Sequence, residues 1–281
     1  MEPRRLGRLT AAAGEFSPMS LFSLIPSLLG AGSGALVGLS LGMVGGGGSI
    51  LAVPLLVYLV GVPMPHLAIG TSAVAVAVNA AASLVLHARG GNVRWPCAAV
   101  FTGAGVTGAF AGAWMGRLVD GQMLLAAFAV MMVVVAVLMF RRREPGEDRR
   151  VRLSRANAPA LVGTGVAVGA LSGFFGIGGG FLIVPGLILA TGMPMRQAVG
   201  TSLVAVTAFG LTTAASYASA GLVDWNLAAL FVGGGVAGSF VGLRAGNVLA
   251  SRRGALTKVF AGLILLVALC VLARSLGVVG Q

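Results

Sequence analysis

The apolar and polar positions of this 281-residue chain form long hydrophobic stretches separated by short polar turns. No Asp, Glu, Lys or Arg occurs between positions 21 and 86, or between 159 and 195. About 20 consecutive apolar residues are enough for a helix to span a bilayer. The pattern predicts ten hydrophobic elements, five on either side of a polar segment: 21–44, 50–60, 67–86, 95–115, 123–140, 161–175, 181–190, 198–220, 225–248 and 256–272.

Two of these elements, 50–60 and 181–190, are too short to cross a membrane as helices. At about 1.5 Å per residue they fall well short of a hydrocarbon core about 30 Å thick. We therefore expect half-helices or re-entrant arms here, and a total of eight to ten segments. Irregular backbone at such depth is tolerated only where protein or water covers it.

One polar segment divides the chain. Positions 141–155 carry seven Arg against three acidic residues. The predicted organisation is a disordered tail over 1–20, a first transmembrane repeat over 21–140, a basic cytoplasmic linker over 141–157 and a second transmembrane repeat over 158–281.

The two halves repeat each other. Positions 38–54 read GLSLGMVGGGGSILAVP, and positions 169–185 read GALSGFFGIGGGFLIVP, so that Pro54 and Pro185 lie 131 residues apart. Each block is followed by a G-x-P-M turn, a Gly-Thr-Ser triplet and a Val-x-Trp sequence. A glycine-broken apolar segment at matching places in two halves is a sequence indicator of a transporter's binding site.

Loop charges predict that the repeats are inverted in the membrane. If the Arg-rich linker lies on the cytoplasmic side, as Arg and Lys usually do, single crossings put Arg89 and Arg94 inside. The equivalent loop of the second half carries Asp224 and falls outside. Opposite charge character at equivalent loops is what an inverted repeat produces.

Composition agrees with a polytopic all-α membrane protein. Mean hydropathy is +0.99, 57% of residues are apolar and only 9% are charged, whereas soluble domains carry about a quarter charged residues. The net charge of +12 lies largely in loops and has no interleaved aromatic residues of the kind single-strand binders use. We therefore expect the lipid bilayer as a partner, and no nucleic acid.

The residues needed for metal, cofactor or enzyme chemistry are scarce. Cys97, Cys270, His66 and His87 form neither a disulfide framework nor a zinc pattern, so we expect no metal and no cofactor. No G-x-S-x-G or H-E-x-x-H sequence occurs, and no Walker motif is present for ATP. Ser172 resembles an intramembrane serine nucleophile, but its half contains no His. We expect no enzyme.

The glycine blocks are the candidate binding site. Glycine weakens a helix by about 1 kcal/mol per residue, so the run at 45–48 is expected to break the segment and free its N–H groups. The following helix would point its positive end at the break, and helix N-termini bind anions. Ser49 stands at an N-cap-like position, with Gly180 opposite it in the second half. The alternative interpretation is that these glycines only allow close helix packing.

Twelve residues make up this candidate anion site. The two Gly-Thr-Ser triplets join it because their hydroxyls could donate to an anion, although interhelical hydrogen bonds or back-bonding to carbonyls would also explain them. The candidate residues are Gly45, Gly47, Gly48, Ser49, Thr71, Ser72, Gly176, Gly178, Gly179, Gly180, Thr201 and Ser202.

Two further patterns have structural interpretations. Glycines spaced by four, at 30, 34, 38 and 42 and again at 165, 169 and 173, predict close packing of helices through small residues. Asn79 is the one amide within an apolar run, and Phe209 takes its place in the second half. Asn79 either contacts the ligand or, as we prefer, forms a hydrogen bond between helices.

The paired G-x-G-G-G-x-x-x-V-P blocks, the G-x-P turns, the Gly-Thr-Ser triplets and the Val-x-Trp sequences resemble the sulfite exporter TauE/SafE family. The resemblance covers about positions 24–275. It implies a multi-pass permease of a bacterial-type inner membrane for sulfite, sulfonates or related sulfur anions, with about eight spanning helices. The first block departs from the pattern, because Gly46 stands where the second has Ile177, and Ser49 where it has Gly180.

The expected function is secondary transport of a small sulfur-containing anion held between the two breaks. Alternating access would come from one half rocking against the other. The alternatives are an anion-selective channel, which would conduct without saturation, and a membrane subunit without transport of its own. A homo-oligomer is compatible with the sequence.

Overall fold

The computed structural model of the chain describes residues 18–141, 157–176 and 180–250, together with 258, 262 and 265–269. Most of the described residues are helical, and none of them is in a strand. The helices are α1 (Pro18–Val44), α2 (Ala52–Pro54), α3 (Pro65–Arg89), α4 (Trp95–Gly116), α5 (Gly121–Arg141), α6 (Ala158–Phe175), α7 (Gly180–Thr191), α8 (Met195–Ala218) and α9 (Trp225–Ala250).

The segment after α1 is wound differently from the prediction. Gly45–Leu51 is a 3₁₀ helix, and a π-helical stretch, Leu55–Val60, follows α2. In a 3₁₀ helix the side chains three residues apart eclipse each other, and a run of four glycines has no side chains to eclipse. α1 ends at Val44 and Gly45 has a φ of 67°, so the predicted interruption is present, and the residues that follow it are wound as a 3₁₀ helix.

The other elements agree with the prediction to within three residues at the ends that the structure describes. Three predicted regions lie wholly or largely outside the described residues: the tail, of which only 18–20 are described, the linker over 142–156, and most of the tenth element. Residues 258, 262 and 265–269 of that element are helical. The division into the four predicted regions stays a prediction.

The outer helix pairs each combine one helix from either half of the sequence. The glycines of α1 face the backbone of α9, so that a Cβ added at Gly38 would overlap the carbonyl oxygen of Gly235. The equivalent pair is α6 with α4, where Gly169 faces Gly105 in the same way. In both pairs the two helices run in the same direction, and the predicted packing through small residues is confirmed.

Helices α3 and α8 form the centre of the bundle and run antiparallel. Near one end Gly70 lies against Leu222, and near the middle Gly210 lies against Ala77. At the other end Gly200 lies against the backbone of Asn92. Because α3 and α8 are equivalent elements of the two repeats, this central pair fixes how the halves approach each other.

Backbone conformation repeats along with the sequence. Six glycines in the described residues have positive φ, and they form three equivalent pairs: Gly45 with Gly176, Gly61 with Gly192, and Gly91 with Gly221. The φ values within each pair differ by at most 15°. The repeat is therefore present in the backbone as well as in the sequence. The paired glycines end α1 and α6, the short helical segments that follow each of them, and α3 and α8.

Candidate functional site

The two glycine blocks meet in the interior of the protein. Gly46 lies against Gly180, the first residue of α7, and a Cβ added at Gly180 would overlap the Gly46 carbonyl oxygen. Both residues are buried. Only glycine permits this approach of two backbones, so the contact explains the glycine at 46 and the glycine at 180, which are not equivalent positions of the repeat.

Each block also touches the central helix of the other half. Gly45 and Gly176 follow the last residues of α1 and α6 with φ of 67° and 68°, the left-handed conformation that glycine adopts at helix ends. A Cβ at Gly45 would lie 2.6 Å from the Val199 carbonyl oxygen, and one at Gly176 would overlap Ile69 Cγ2. Val199 and Ile69 are repeat equivalents, so the two contacts are reciprocal.

Ser202 connects the first block to α8. The backbone N–H of Gly46 donates to Ser202 Oγ at 3.2 Å, and Ser202 Oγ donates to the Val199 carbonyl at 2.7 Å. The equivalent hydroxyl, Ser72 Oγ, donates to the Ile69 carbonyl at 2.9 Å. Both serines are fully buried. The serines of the two Gly-Thr-Ser triplets therefore occupy matching positions on the two central helices.

Ser49 does not cap a helix. Its hydroxyl donates to the Gly46 carbonyl at 2.9 Å, and α2 begins without a side-chain cap. The reason is the 3₁₀ winding, which turns the Ser49 side chain back onto the preceding turn. The predicted N-cap role of Ser49 is therefore wrong, although the residue lies in the first block as expected and is fully buried.

The threonines of the triplets are held by loops. Thr71 Oγ1 accepts the backbone N–H of Asp224 at 2.9 Å, and Thr201 Oγ1 accepts that of Arg94 at 3.0 Å. Asp224 and Arg94 immediately precede α9 and α4. The two hydroxyls therefore tie each central helix to the start of a helix in the other half, and we assign them a structural role.

The remaining glycines of the predicted site divide into two groups. Gly47 and Gly48 are buried, and a Cβ at Gly48 would overlap the backbone of Leu41 in α1. Gly48 therefore packs against α1, the helix that precedes its own block. Gly178 and Gly179 lie outside the described residues.

Sequence reasoning left out two residues of this region. Gly46 was treated as a departure from the pattern, yet it makes the contact with Gly180 and the hydrogen bond to Ser202. Ser172, one turn before Gly176, is buried, and its Oγ has no hydrogen-bond partner among the described residues. Its equivalent is the apolar Leu41, so the repeat itself gave no indication of it.

Asn79 does not make the expected hydrogen bond between helices. Its side chain is fully buried against Gly235 of α9, and neither amide atom has a partner within the described parts of the chain. Phe209 occupies the equivalent place and stacks with Phe101 at a ring-centroid distance of 6.3 Å. The two repeats therefore differ in polarity at the middle of the bundle.

The polar groups that the structure shows at the junction are backbone N–H groups and serine hydroxyls. The described residues hold no group of three or more His, Cys, Asp or Glu that could bind a metal. The Gly46 N–H at present donates to a hydroxyl that itself donates elsewhere. An anion could replace that hydroxyl as a stronger acceptor, because hydrogen bonds to charged groups are about twice as strong.

The fold defines a polytopic α-helical membrane protein. Six stretches of the described chain are long and apolar enough to cross a membrane, and two shorter apolar helices accompany them. Large apolar side chains face outward, with Leu118 71% and Phe110 62% exposed, as expected for a surface in contact with lipid. The six stretches are Ser27–Val60, Pro65–Arg89, Trp95–Gly116, Ala158–Phe175, Met195–Ala218 and Trp225–Gly246.

The chain belongs to the sulfite exporter TauE/SafE family, whose family model matches residues 28–271. A probable membrane transporter protein of Xylella fastidiosa (strain Temecula1 / ATCC 700964) is 48% identical over 260 residues, covering 92% of this chain and 98% of that protein. The probable membrane transporter protein YdhB of Bacillus subtilis (strain 168) is 29% identical over 239 residues, 82% of this chain and 96% of its own length. No solved structure matches the chain significantly. The protein is a multi-pass membrane transporter.

Proposed function

We propose that the protein is a secondary transporter for a small sulfur-containing anion, such as sulfite or a small sulfonate. The proposed binding site is the junction of the two glycine blocks, formed by residues 45–49 and 176–180 with Ser72 and Ser202. The family supports a sulfur anion, since its model is described as a sulfite exporter. The absence of charged side chains from the described part of the junction favours a ligand bound by neutral donors.

One observation carries the proposal: the backbones of Gly46 and Gly180 touch. Two segments 134 positions apart are brought together by residues with no side chain, in the interior of a membrane protein. A site bounded by backbone can surround a small anion with N–H groups. Ser49, Ser72 and Ser202 add hydroxyl groups there, each of which donates to a carbonyl three residues earlier.

The directions of the helices support an inverted repeat. Equivalent helices α3 and α8 are antiparallel, and contacts recur in exchanged form: Thr71 binds the backbone before α9, and Thr201 binds the backbone before α4. A two-fold relation of this kind, with both central helices crossing the membrane, gives the two halves opposite orientations. The loop charges favour the same arrangement.

The moving bodies that we propose differ from the two halves of the sequence. Because α1 packs closely on α9, and α6 on α4, each outer pair holds helices from both halves. We propose that these two pairs move against the central α3 and α8, opening the glycine junction to either side in turn.

The test is tracer flux in proteoliposomes containing the purified protein, with sulfite, a small sulfonate and chloride each offered under a pH gradient. Saturable flux of a sulfur anion that also shows counterflow is the expected result. Flux that does not saturate would replace the transporter with an anion-selective channel. Absence of flux for all three anions would overturn the proposal.

A further inference from the structure

A second polar cluster lies at one end of the bundle, outside the glycine junction. It consists of His66 at the start of α3, Arg117 just after α4 and Tyr217 near the end of α8. The His66 and Tyr217 rings lie 6.3 Å apart between centroids. The His66 Nε2 is 3.1 Å from the Val119 carbonyl oxygen, which holds the ring beside the turn after α4.

Each of the three side chains has a polar atom without a hydrogen-bond partner in the part of the chain that the structure describes. Tyr217 OH, His66 Nδ1 and Arg117 Nε are all buried and lack a hydrogen-bond partner among the described residues. The Tyr217 side chain is fully buried, and an unpaired buried hydroxyl costs about 1–3 kcal/mol. Three such atoms from three helices are unlike an apolar packing contact and indicate a missing polar partner.

The missing partner is an anion on grounds of charge. Arg117, two residues before the Val119 carbonyl that faces His66, supplies a positive charge, and both its Nε–H and the Tyr217 hydroxyl can donate. The acid nearest in sequence, Asp120, is engaged at the start of α5, where its Oδ1 accepts the backbone N–H groups of Gln122 and Met123. A small oxyanion could accept from Tyr217 and Arg117 together.

The cluster lies one helical turn from the second glycine block. Ile69, three residues after His66 on α3, contacts Gly176. His66 and Arg117 are half-buried, whereas Tyr217 is fully buried. The cluster therefore combines partly exposed side chains with a buried one, close to the glycine junction.

The same chemistry recurs at the opposite end of α3. His87 is the repeat equivalent of Tyr217, and its Nε2 lies 3.2 Å from the Gly42 carbonyl oxygen, while Arg196 lies at the start of α8. His87 is buried and its Nδ1 has no partner in the part of the chain that the structure describes. A hydrogen-bonding ring and a cation therefore stand near each glycine block.

The geometry points to an access site for small oxyanions, formed by His66, Arg117 and Tyr217, that binds the transported anion at one face before it reaches the glycine junction. This inference rests on the proposed function. The site binds the substrate on one side of the membrane only. Its loss therefore raises the KM for transport from that side and leaves Vmax nearly unchanged.

The experiment measures sulfite uptake into right-side-out and inverted membrane vesicles for Tyr217→Phe, Arg117→Gln and Arg117→Lys. Arg89→Gln is the control, because Arg89 is an exposed cation at the other end of α3. We expect Tyr217→Phe and Arg117→Gln each to raise KM about tenfold from one face only, the loss typical of one hydrogen bond to a charged group. Arg117→Lys should raise it less, since the charge is kept.

Unchanged KM in both Tyr217→Phe and Arg117→Gln, with normal wild-type flux, would overturn the access site and leave the proposed function standing. An equal rise from both faces would also overturn it, since that result indicates a general structural effect. If Tyr217→Phe fails to insert, the two Arg117 variants decide, because Arg117 is half-buried at a helix end. Absence of saturable wild-type flux overturns the proposed function and this inference together.

Discussion

Replacing Gly180 by alanine tests whether contact between the glycine blocks is required for transport. The added methyl would overlap the Gly46 carbonyl oxygen and would lie 2.6 Å from the Gly46 Cα. Carbon atoms in good contact are about 3.5–4.0 Å apart, so the two backbones would have to separate by about 1 Å. The obstacle is backbone, and no side chain can rotate to relieve it.

The expected cost follows from that overlap. Adding a methyl to a tightly packed interior costs about 1–3 kcal/mol, which corresponds to roughly 5- to 150-fold in an equilibrium constant. If transport passes through a conformation in which Gly46 and Gly180 touch, the population of that conformation falls by the same factor. We therefore expect flux of the transported anion through Gly180→Ala to fall at least about fivefold, with membrane insertion retained.

The assay is initial-rate flux in proteoliposomes, together with the thermal unfolding midpoint of the purified protein. Gly163→Ala is the matched control, because a Cβ at Gly163 meets nothing within 4 Å. We expect the control to transport normally and to unfold at or slightly above the wild-type midpoint, since alanine favours helix. Normal flux and an unchanged midpoint in Gly180→Ala would refute the reasoning.

A second variant separates the contact from a general loss of packing. At Gly46 the nearest obstacle to a methyl is Val206 Cγ2 at 2.5 Å, with the Gly180 Cα at 2.9 Å. Gly46→Ala should therefore be milder than Gly180→Ala, and Val206→Ala should partly restore its flux. Failure of Val206→Ala to restore any flux would show that the defect arises elsewhere.

Three further predictions concern the fold. Thr71→Val and Thr201→Val should each lower the free energy of unfolding by about 1 kcal/mol, as loss of a helix cap does. Neither should change the KM for sulfite. A raised KM would show that these hydroxyls contact the substrate. Gly38→Ala should destabilise the α1–α9 pair by about 1–3 kcal/mol, whereas Gly32→Ala, with nothing within 4 Å, should not; equal unfolding midpoints would contradict the packing argument. Asn79→Leu should raise the unfolding midpoint, because it removes an unpaired buried amide worth about 1–3 kcal/mol, and a lower midpoint would indicate an essential polar contact.

Much of the helical layout could be predicted because its signals are local. A long stretch without charged residues indicates the position of a helix along the sequence. The turns between the helices carry Pro, Gly or a charged residue. The ends of α4 and α6 were predicted to within three residues for this reason. The winding after α1 could not be, because a glycine run fits a 3₁₀ helix as well as a break, and packing against α8 decides between them.

The candidate site was predicted in part. Ser202 could be found because the repeat marks it twice, and Gly180 because it closes the second glycine block, although Ser49 stands at its place in the first. Gly46 was missed because the halves differ at that position, and a residue that the repeat does not conserve carries no indication of a shared role. Thr71 and Thr201 resembled donors for a ligand, but their partners are loop N–H groups 153 and 107 positions away, which no local pattern reveals.

The sequence by itself determined the class of protein, the doubled glycine blocks and the equivalence of the two halves, because hydropathy and repetition are read along the chain. Only the tertiary structure decided that α1 packs on α9, that Gly46 meets Gly180, and that Tyr217 lies beside His66. Helices in a membrane are apolar on most faces, so their periodicity does not say which face meets which neighbour. Close backbone contact selects the partner, and that selection depends on the whole bundle.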